Sequence, residues 1–488
     1  METDIPACDE LLTLSATALA RRIRAGSVTS RQVIDTHIAR IQRVNPALNA
    51  VVCERFSRAR EEADAADERL RREGPNGLPP FHGVPCTIKE NVALAGMPNS
   101  CGLVARRNVI AEEDAPSVAR LRAAGAIPLG VTNVAELTAW TATDNRVYGR
   151  TGNAYDPART AGGSSGGEGA IVGAGGSPFG LGTDVGGSIR IPAFCNGVFG
   201  HKPTGGLVPS SGQFPKYQGS QLRINTTGPI ARRAEDLMPL LRVLAGPDLG
   251  DPECQAFQLG QPSAVRLGEL RVLLVASDGA RPAVSAEMLG AMKRAGAALS
   301  EQGATVEQRK VSGLHNSLLP YLGRLLEEGD WPFVLDPTPG RLPLVSAVGE
   351  PIRLARGRSD HIAPVFAVTT LINPLRKMSK LIGRLAETAR TLQGEIESML
   401  GDDGVMLYPT ATGVAPRHGR GGALHFRFPP IFNALELPVT QVPLGLGREG
   451  LPLGVQVVAP RGADHRSIAV AMALERSLGG WVPPRVPA

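Results

Sequence analysis

The stretch that decides the fold is residues 162–190, GGSSGGEGAIVGAGGSPFGLGTDVGGSIR. It places three serines, Ser164, Ser165 and Ser188, among glycines. Because glycine has no Cβ, a loop built this way can bring its backbone amides close to a reacting atom. Each glycine in regular structure costs about 0.5–1 kcal/mol relative to alanine, so this density indicates a local chemical role. We expect catalysis or anion binding here.

The sequence on both sides of this stretch alternates between helical and strand patterns. Apolar residues at helical spacing, with capping and stop signals, predict helices over 15–25, from Ser30 to the residue before Asn45, and over 54–72, 115–124, 234–245, 284–302, 376–400 and 464–478. A further helix is predicted to start at Thr132-Asn133. Short apolar runs predict strands over 82–88, 126–131, 270–276, 405–408, 438–443 and 453–458. This alternation favours an α/β layered sheet.

The composition is that of an ordinary globular protein. The chain has 488 residues, of which 42% are hydrophobic and 20% charged, and length alone would suggest two or three domains. The net charge is +6, and the arginines are spread along the chain without a block of like charge. This distribution argues against binding to nucleic acid or to a membrane surface.

The termini and cysteines predict a cytoplasmic protein. The N-terminal residues METDIPACDE are too acidic for a secretory signal, and no apolar run is long enough to span a membrane. The cysteines are widely scattered and form no CxxC pair, which favours reduced, mostly buried thiols over a disulfide framework or a zinc site. They are Cys8, Cys53, Cys86, Cys101, Cys195 and Cys254.

Two familiar interpretations of a glycine–serine stretch do not fit. A phosphate-binding loop would need GxxxxGK[ST], or a GxGxxG that opens a helix, and neither is present. Residues 162–166 match the nucleophile-elbow pattern GxSxG, but that pattern follows a hydrophobic strand. The preceding residues 153–160 have the composition of a loop, so we interpret the match as accidental.

A lysine-based arrangement remains. Ser188 follows Thr183-Asp184 and two glycines, so the amides of residues 185–188 could form a nest facing a carbonyl oxygen. A serine hydroxyl becomes a good nucleophile when a neighbour takes its proton, and a desolvated, neutral lysine can do so. Lys89 ends the apolar segment 82–88 and is the lysine placed to act this way. The alternative is that Lys89 pairs with Glu90 or another acid.

These residues lie in motifs that resemble the amidase signature family, in that family's order. The matching segments are GVPCTIKEN (83–91), Thr132-Asn133, GGSSGG (162–167), GTDVGGSIR (182–190), HKPT (201–204), TTGP (226–229), FNALELPVTQVP (432–443) and LPLGVQVVAP (451–460). The similarity is dense from about 80 to 245, recurs from about 404 to 475 and fades between. The sequence at GGSSGGEGA and HKPTGGLVPSSGQFP is most similar to that of the fatty-acid amide hydrolase branch of the family.

The resemblance implies the roles of the site residues. It makes Ser188 the nucleophile, Ser164 a proton relay on a cis peptide bond, and Lys89 the general base. It implies an acyl-enzyme intermediate, with no metal and no organic cofactor. The oxyanion would be held by the backbone amides of Val185, Gly186, Gly187 and Ser188.

Other residues near these motifs have two interpretations each. Ser165 either joins the hydrogen-bond network or caps its loop, and Thr138 either lines the substrate pocket through its backbone or has no role. Asp184 and Arg190 are expected to fix the loop rather than to touch substrate. Cys195 is expected in the core.

The resemblance also implies the overall architecture and the activity. We expect a single domain over 1–488, with a large mixed, mostly parallel twisted sheet covered by helices on both faces. Within it we distinguish N-terminal helices (1–72), a signature core (80–245), a variable cap that shapes the substrate pocket (310–400) and the completion of the sheet (401–488). The expected activity is hydrolysis of the C–N bond of small amides, with carbamates and esters as further substrates.

Two other functions share the same sequence features. One is the glutaminase subunit of a tRNA-dependent amidotransferase, and the other is a non-catalytic binding protein on the same fold. Assembly as a homodimer is left open.

Overall fold

The computed structural model describes residues 10–328 and 349–485, and within these ranges the strands form one sheet. The sheet has eleven strands in the order β1-β3-β2-β4-β6-β5-β10-β11-β9-β7-β8. In chain order they are β1 Val51–Glu54, β2 Val84–Lys89, β3 Ala126–Thr132, β4 Phe179–Asp184, β5 Phe199–Lys202, β6 Thr226–Ala231, β7 Arg271–Leu274, β8 Thr305–Gln308, β9 Gly404–Tyr408, β10 Val439–Leu446 and β11 Pro452–Val458.

Helices connect most of these strands. In chain order they are α1 Ala16–Arg24, α2 Ser30–Leu48, α3 Phe56–Glu73, α4 Pro116–Ala123, α5 Gly166–Gly173, α6 Arg190–Cys195, α7 Gln221–Ile224, α8 Leu237–Leu244, α9 Ala286–Glu301, α10 Leu318–Glu327, α11 Gly349–Ala355, α12 Ala363–Arg376, α13 Ser379–Leu400, α14 Gly422–His425, α15 Ile431–Ala434 and α16 Asp464–Leu478. A short 3-10 turn over Glu136–Thr138 follows β3.

The large mixed sheet is confirmed, but the expectation that it is mostly parallel is wrong. Strands β2–β3, β2–β4, β7–β8 and β7–β9 pair in parallel, and the remaining six pairings between described strands are antiparallel. A short connection accounts for one of the antiparallel pairings, that of β10 with β11. The five residues between β10 and β11 can close a hairpin, whereas a parallel neighbour needs a crossover of roughly a dozen residues or more.

Helices cover both faces of the sheet, as expected. Successive residues of a strand point to opposite faces. In β3, Ala126 belongs to one apolar cluster and Ile127 to another, and in β6 the same division separates Ala231 from Ile230. Each face therefore has its own apolar core. The first core also contains Cys195, which lies in the interior as predicted.

Two predicted helix boundaries are wrong. Helix α2 continues through Pro46 to Leu48, because the backbone N–H of Asn49 closes the last turn on the Asn45 carbonyl. A proline near a helix end breaks few hydrogen bonds, so its stop signal fails here. No helix starts at Thr132-Asn133. Thr132 ends β3, and the Asn133 N–H donates to the carbonyl of Ala50.

The other predicted elements agree with the structure to within a few residues. Residues 329–348 of the predicted variable cap lie outside the described residues, as does Cys8. The elements that were not predicted include the strands β1, β4, β5, β6 and β8 and the helices α5 and α6 at the serine stretch.

One feature of the sheet positions the site. Strands β2 and β4 are parallel neighbours, with Thr87 opposite Gly180 and Ile88 opposite Leu181. Their carboxyl ends therefore meet at the same edge of the sheet. Lys89 is the last residue of β2, and Thr183 and Asp184 end β4.

Candidate active site

Lys89 lies at the carboxyl end of β2 with its side chain fully buried. Its Nζ is 2.8 Å from Ser164 Oγ and 2.7 Å from Thr183 Oγ1. The alternative that Lys89 pairs with an acid is not realised among the described residues. The Glu90 carboxylate accepts from the N–H groups of Ser100 and Cys101 instead.

Burial decides the charge state of this lysine. Removal from water disfavours the ammonium form and lowers the pKa of Lys89 from 10.5 to about 7, although the charges of Cys101, Asp184 and Glu168 act in the opposite direction. A substantial fraction of the molecules therefore carries a neutral amine at this position near neutral pH.

Ser164 lies in the loop that precedes α5, and its hydroxyl is fully buried. The peptide bond between Gly163 and Ser164 is cis, as the resemblance implies. Neighbouring loops fix the backbone at this point. The Ser164 carbonyl accepts from the Ala135 N–H at 3.0 Å and from Thr143 Oγ1 at 3.2 Å. Two hydrogen bonds therefore fix the Ser164 carbonyl, while its hydroxyl is hydrogen-bonded to Lys89.

Ser188 follows β4 and reaches solvent with 9% of its surface. Its carbonyl accepts from the Ser165 N–H at 3.3 Å, which ties the two serine loops together. In the described ranges Ser188 Oγ makes no hydrogen bond, so the structure contains the Lys89–Ser164 link but no hydrogen bond between Ser164 and Ser188. Catalytic hydrogen bonds are often long before substrate binds and tighten in the complex.

The Asp184 carboxylate shapes the loop that carries Ser188. It accepts from the Gly187 N–H at 2.6 Å and from the Ile189 N–H at 3.0 Å. Of the four amides predicted to hold an oxyanion, that of Gly187 is thus already engaged. In the described part of the chain, the N–H groups of Gly186 and Ser188 have no hydrogen-bond partner. Val185 directly follows the end of β4.

The two glycines before Ser188 lie in close contact with neighbouring residues. Gly187 has a φ of +113°, and a Cβ there would lie 2.7 Å from Pro429 Cβ. A Cβ on Gly186 would lie 2.8 Å from the hydroxyl oxygen of Tyr321, which belongs to α10. The positive φ requires glycine at position 187, whereas a Cβ on Gly186 would require the Tyr321 side chain to shift.

Arg190 fills the space behind the Ser188 loop and is fully buried. It bonds both oxygens of Asp184 at 3.0 Å each, which matches the expectation that this pair fixes the loop. Burial alone would raise the pKa of Asp184, but the Arg190 charge and hydrogen bonds outweigh burial and hold it well below its ordinary value. The guanidinium also donates to Pro429 O, Gln456 Oε1 and Asn433 Oδ1.

Ser165 and Thr138 lie beside the site. Ser165 Oγ donates to the Thr183 carbonyl at 3.2 Å, so its hydroxyl caps the end of β4 and makes no hydrogen bond to Lys89 or Ser188 among the described residues. Thr138 ends the 3-10 turn after β3 with a φ of +58°, and its hydroxyl lies 3.3 Å from that of Tyr217. Whether Thr138 contacts substrate stays a prediction.

Three residues of the site were not singled out from the sequence. Thr183 is the second hydrogen-bond partner of Lys89. Glu168 accepts from the hydroxyls of Thr87 and Thr132, and burial raises its pKa to about 7. Tyr321 covers Gly186 from the variable segment. Glu168 and Thr183 lie within residues 162–190, so a polar residue next to glycine could have indicated both of them. No local sequence pattern indicates Tyr321.

The chemistry open to this arrangement is proton transfer and nucleophilic attack. A buried amine bonded to a hydroxyl can act as a base, and a nearby serine on a glycine loop can act as a nucleophile. Within residues 10–328 and 349–485, no group of three or more His, Cys, Asp or Glu side chains is placed to hold a metal ion. In the same ranges no helix combines the length and apolarity needed to cross a bilayer.

Several known proteins are similar to this chain over most of its length. Residues 32–468 match the family model described as Amidase. The chain is 43% identical to Fatty-acid amide hydrolase 2-B of Danio rerio, over 99% of this chain and 92% of that protein. It is 40% identical to Fatty-acid amide hydrolase 2 of Homo sapiens, with the same two coverages. The solved structure of 6-aminohexanoate cyclic dimer hydrolase matches with a TM-score of 0.78 at 28% identity, over 96% of this chain and 97% of that one.

Proposed function

Because this chain belongs to the amidase family and is an amide-cleaving hydrolase, we propose that Ser188 attacks the amide carbonyl, Ser164 relays its proton and Lys89 accepts it. The observation that carries this proposal is the hydrogen bond of 2.8 Å between Ser164 Oγ and an amine whose pKa is lowered by burial to about 7. A neutral amine has a lone pair for the Ser164 proton, whereas an ammonium has none.

The first half of the reaction makes an acyl-enzyme. Ser164 gives its proton to Lys89 and takes that of Ser188, while Ser188 Oγ bonds to the carbonyl carbon and the carbonyl electrons move onto oxygen. Backbone N–H groups of Gly186 and Ser188 donate to this oxyanion, and losing one such donor typically raises the barrier by about 3–4 kcal/mol. The backbone N–H groups of Val185 and Gly187 are also predicted donors to the oxyanion. The Gly187 N–H would first have to break its hydrogen bond to the Asp184 carboxylate.

The second half releases the products. The proton on Lys89 returns through Ser164 to the substrate nitrogen, the C–N bond breaks, and the amine leaves. Water then attacks the Ser188 ester with the same groups as base and relay. The acid leaves, and Ser188 regains its proton.

An apolar acyl or aryl group fits the surroundings of the site. Val185, three residues before Ser188, and Leu137, in the 3-10 turn after β3, belong to an apolar cluster that also contains residues of α10 and α12 and the residue before α12. The relatives at 40–43% identity are named fatty-acid amide hydrolases, which supports the same class of acyl group. We propose amides of apolar acids as substrates. Carbamates and esters present the same carbonyl to the same nucleophile and are proposed as further substrates.

Turnover by the purified chain tests this function. We expect hydrolysis of acyl anilides, with primary amides, carbamates and esters run beside them, and a fluorophosphonate adduct on Ser188 in a peptide digest. Ser188→Ala should abolish turnover and leave the melting temperature nearly unchanged, because the Ser188 hydroxyl makes no hydrogen bond in the described ranges that the substitution would remove. Ser27→Ala, at an exposed serine in the turn between α1 and α2, is the matched control. Activity retained in Ser188→Ala would mean that another serine is the nucleophile.

The same assay separates the alternative functions. A glutaminase subunit would hydrolyse glutamine, with turnover that needs a partner, and would ignore aryl amides. A non-catalytic protein would form no adduct on Ser188. A cytoplasmic location and assembly as a homodimer stay predictions, and light scattering on the pure chain checks the latter.

A further inference from the structure

A cavity of about 390 Å³ opens beside the serine loop. Its lining includes the apolar residues Trp140, Ile362, Pro364 and Phe426. It also includes four solvent-exposed arginines, Arg146, Arg150, Arg417 and Arg420, after which we call it the arginine cavity. None of these residues has a part in the proposed proton relay.

The charges in the arginine cavity are not balanced. Among the described lining residues Asp144 is the one acid, and its carboxylate bonds Arg150 at 3.0 and 2.9 Å. In the ranges that the structure describes, Arg146, Arg417 and Arg420 make no ion pair. The lining thus carries three exposed arginines without a described acidic partner, and the resulting positive potential favours a bound anion.

The two loops that carry these arginines are held in place. Pro416 accepts from the Thr160 N–H at 3.0 Å, and Arg417 forms an isolated β-bridge with Arg159. On the other side, the Asn145 carboxamide accepts from the N–H groups of Val147 and Tyr148 at 3.0 and 2.7 Å, which fixes the turn beside Arg146. Hydrogen bonds therefore fix the backbone segments from which these arginine side chains extend.

We propose that the arginine cavity binds a small molecule that carries a carboxylate or phosphate group on an apolar body. Guanidinium groups present a planar fork of donors that matches the oxygens of carboxylates and phosphates. Trp140 and Pro364, which line the same cavity, provide apolar contacts for the remainder of the ligand, as in most small-molecule sites.

The cavity is one loop away from the catalytic candidates. A Cβ on Gly163 would lie 2.6 Å from the Trp140 carbonyl oxygen and 2.7 Å from the Ala142 nitrogen, so these cavity-lining residues pack directly against the residue before Ser164. The next residue, Thr143, donates to the carbonyls of Gly162 and Ser164. The bound anion is either part of a substrate or a separate effector that acts on this loop.

Binding of benzoate and of inorganic phosphate to the full chain tests the proposal without requiring turnover. By titration calorimetry we expect the affinity for benzoate to fall with rising NaCl concentration, because salt screens the attraction. The double variant Arg146→Gln/Arg420→Gln should weaken it at least about tenfold, since each lost hydrogen bond is charge-assisted. Arg448→Gln, at an exposed arginine between β10 and β11, is the control and should bind as the unchanged chain does.

Kinetics distinguish the two sources of the anion. For a substrate group, the double variant should lower kcat/KM for an anilide with a carboxylate on its ring and leave that for the unsubstituted anilide unchanged. For an effector, added benzoate or phosphate should change the rate on the neutral anilide, and the double variant should remove that change. The proposal is overturned if neither anion binds. It is also overturned if benzoate binds equally well to the double variant, because benzoate would then be bound at another place, such as beside Ser188.

Discussion

At the scale of single residues, the site depends on a lysine whose surroundings make it a base. Lys89 is fully buried and bonds two hydroxyls, and no acid of the described residues lies within ion-pair distance of it. A carboxylate partner would stabilise the ammonium and raise the pKa, whereas a hydroxyl partner leaves burial as the largest effect. The choice of partner therefore decides whether Lys89 can accept a proton near pH 7.

The pH profile follows from this charge state. Because burial lowers the pKa of Lys89 to about 7 and only the neutral amine accepts a proton, kcat/KM should rise with pH through about 7 and level off above it. Lys89→Ala should lower kcat/KM by about 10²–10⁴-fold and flatten this dependence. Lys216→Ala, at an exposed lysine, should keep both rate and profile. An unaffected rate in Lys89→Ala would remove the base from the mechanism.

At the scale of elements, a buried ion pair joins the variable segment to the edge of the site. Glu136 begins the 3-10 turn that ends at Thr138, and its carboxylate accepts from His361 Nδ1 at 2.5 Å and from the Ile362 N–H at 2.9 Å. These two residues precede α12. Burial lowers the pKa of His361, but the hydrogen bond and charge of Glu136 outweigh it, so the pKa is raised above 6.5.

The sign of the pH dependence follows. Because the folded pKa of His361 is raised, the stabilisation from this pair is complete below pH 6.5 and is lost as pH rises through the raised pKa. After correction for intrinsic rates, amide exchange in α12 should therefore accelerate over that range. In Glu136→Gln it should be about tenfold faster at low pH and lack this step. Glu387→Gln, 69% exposed on α13, is the control; equal exchange in all three proteins would contradict the prediction.

At the scale of the whole molecule, Arg190 joins the middle of the chain to its C-terminal strands. Its guanidinium binds Asp184 at the end of β4, Gln456 in β11, and Asn433 and Pro429 before β10. All of these groups lie in the interior. The loop that carries Ser188 is thus held by residues more than 230 positions later in the sequence.

Removing Arg190 should be costly because Asp184 would remain as an unpaired buried charge. We expect Arg190→Met to lower the free energy of unfolding by about 3–5 kcal/mol in urea denaturation. The double variant Asp184→Asn/Arg190→Met should recover part of this loss, since no lone charge is left. Arg71→Ala, 69% exposed, should stay within about 0.5 kcal/mol of the unchanged chain. A double variant as unstable as Arg190→Met would show that packing, and not charge, dominates.

What the sequence by itself determined is local. The α/β alternation, most element positions, the glycine pair before Ser188 and the strand-end position of Lys89 follow from residue types within a few positions of each other. Such features depend on backbone conformation and on the alternation of side chains along a strand, which short segments specify. The family motifs, being contiguous, could be recognised in the same way.

Tertiary structure alone decided the rest. Lys89 meets Ser164 and Thr183 across sequence separations of 75 and 94 residues, and its neutral state depends on burial that many segments create together. The antiparallel pairings, the engaged Gly187 amide, Tyr321 above Gly186 and the arginine cavity likewise arise from residues far apart in the chain. Pairing, burial and charge balance depend on which distant groups come into contact, and no local pattern records those contacts.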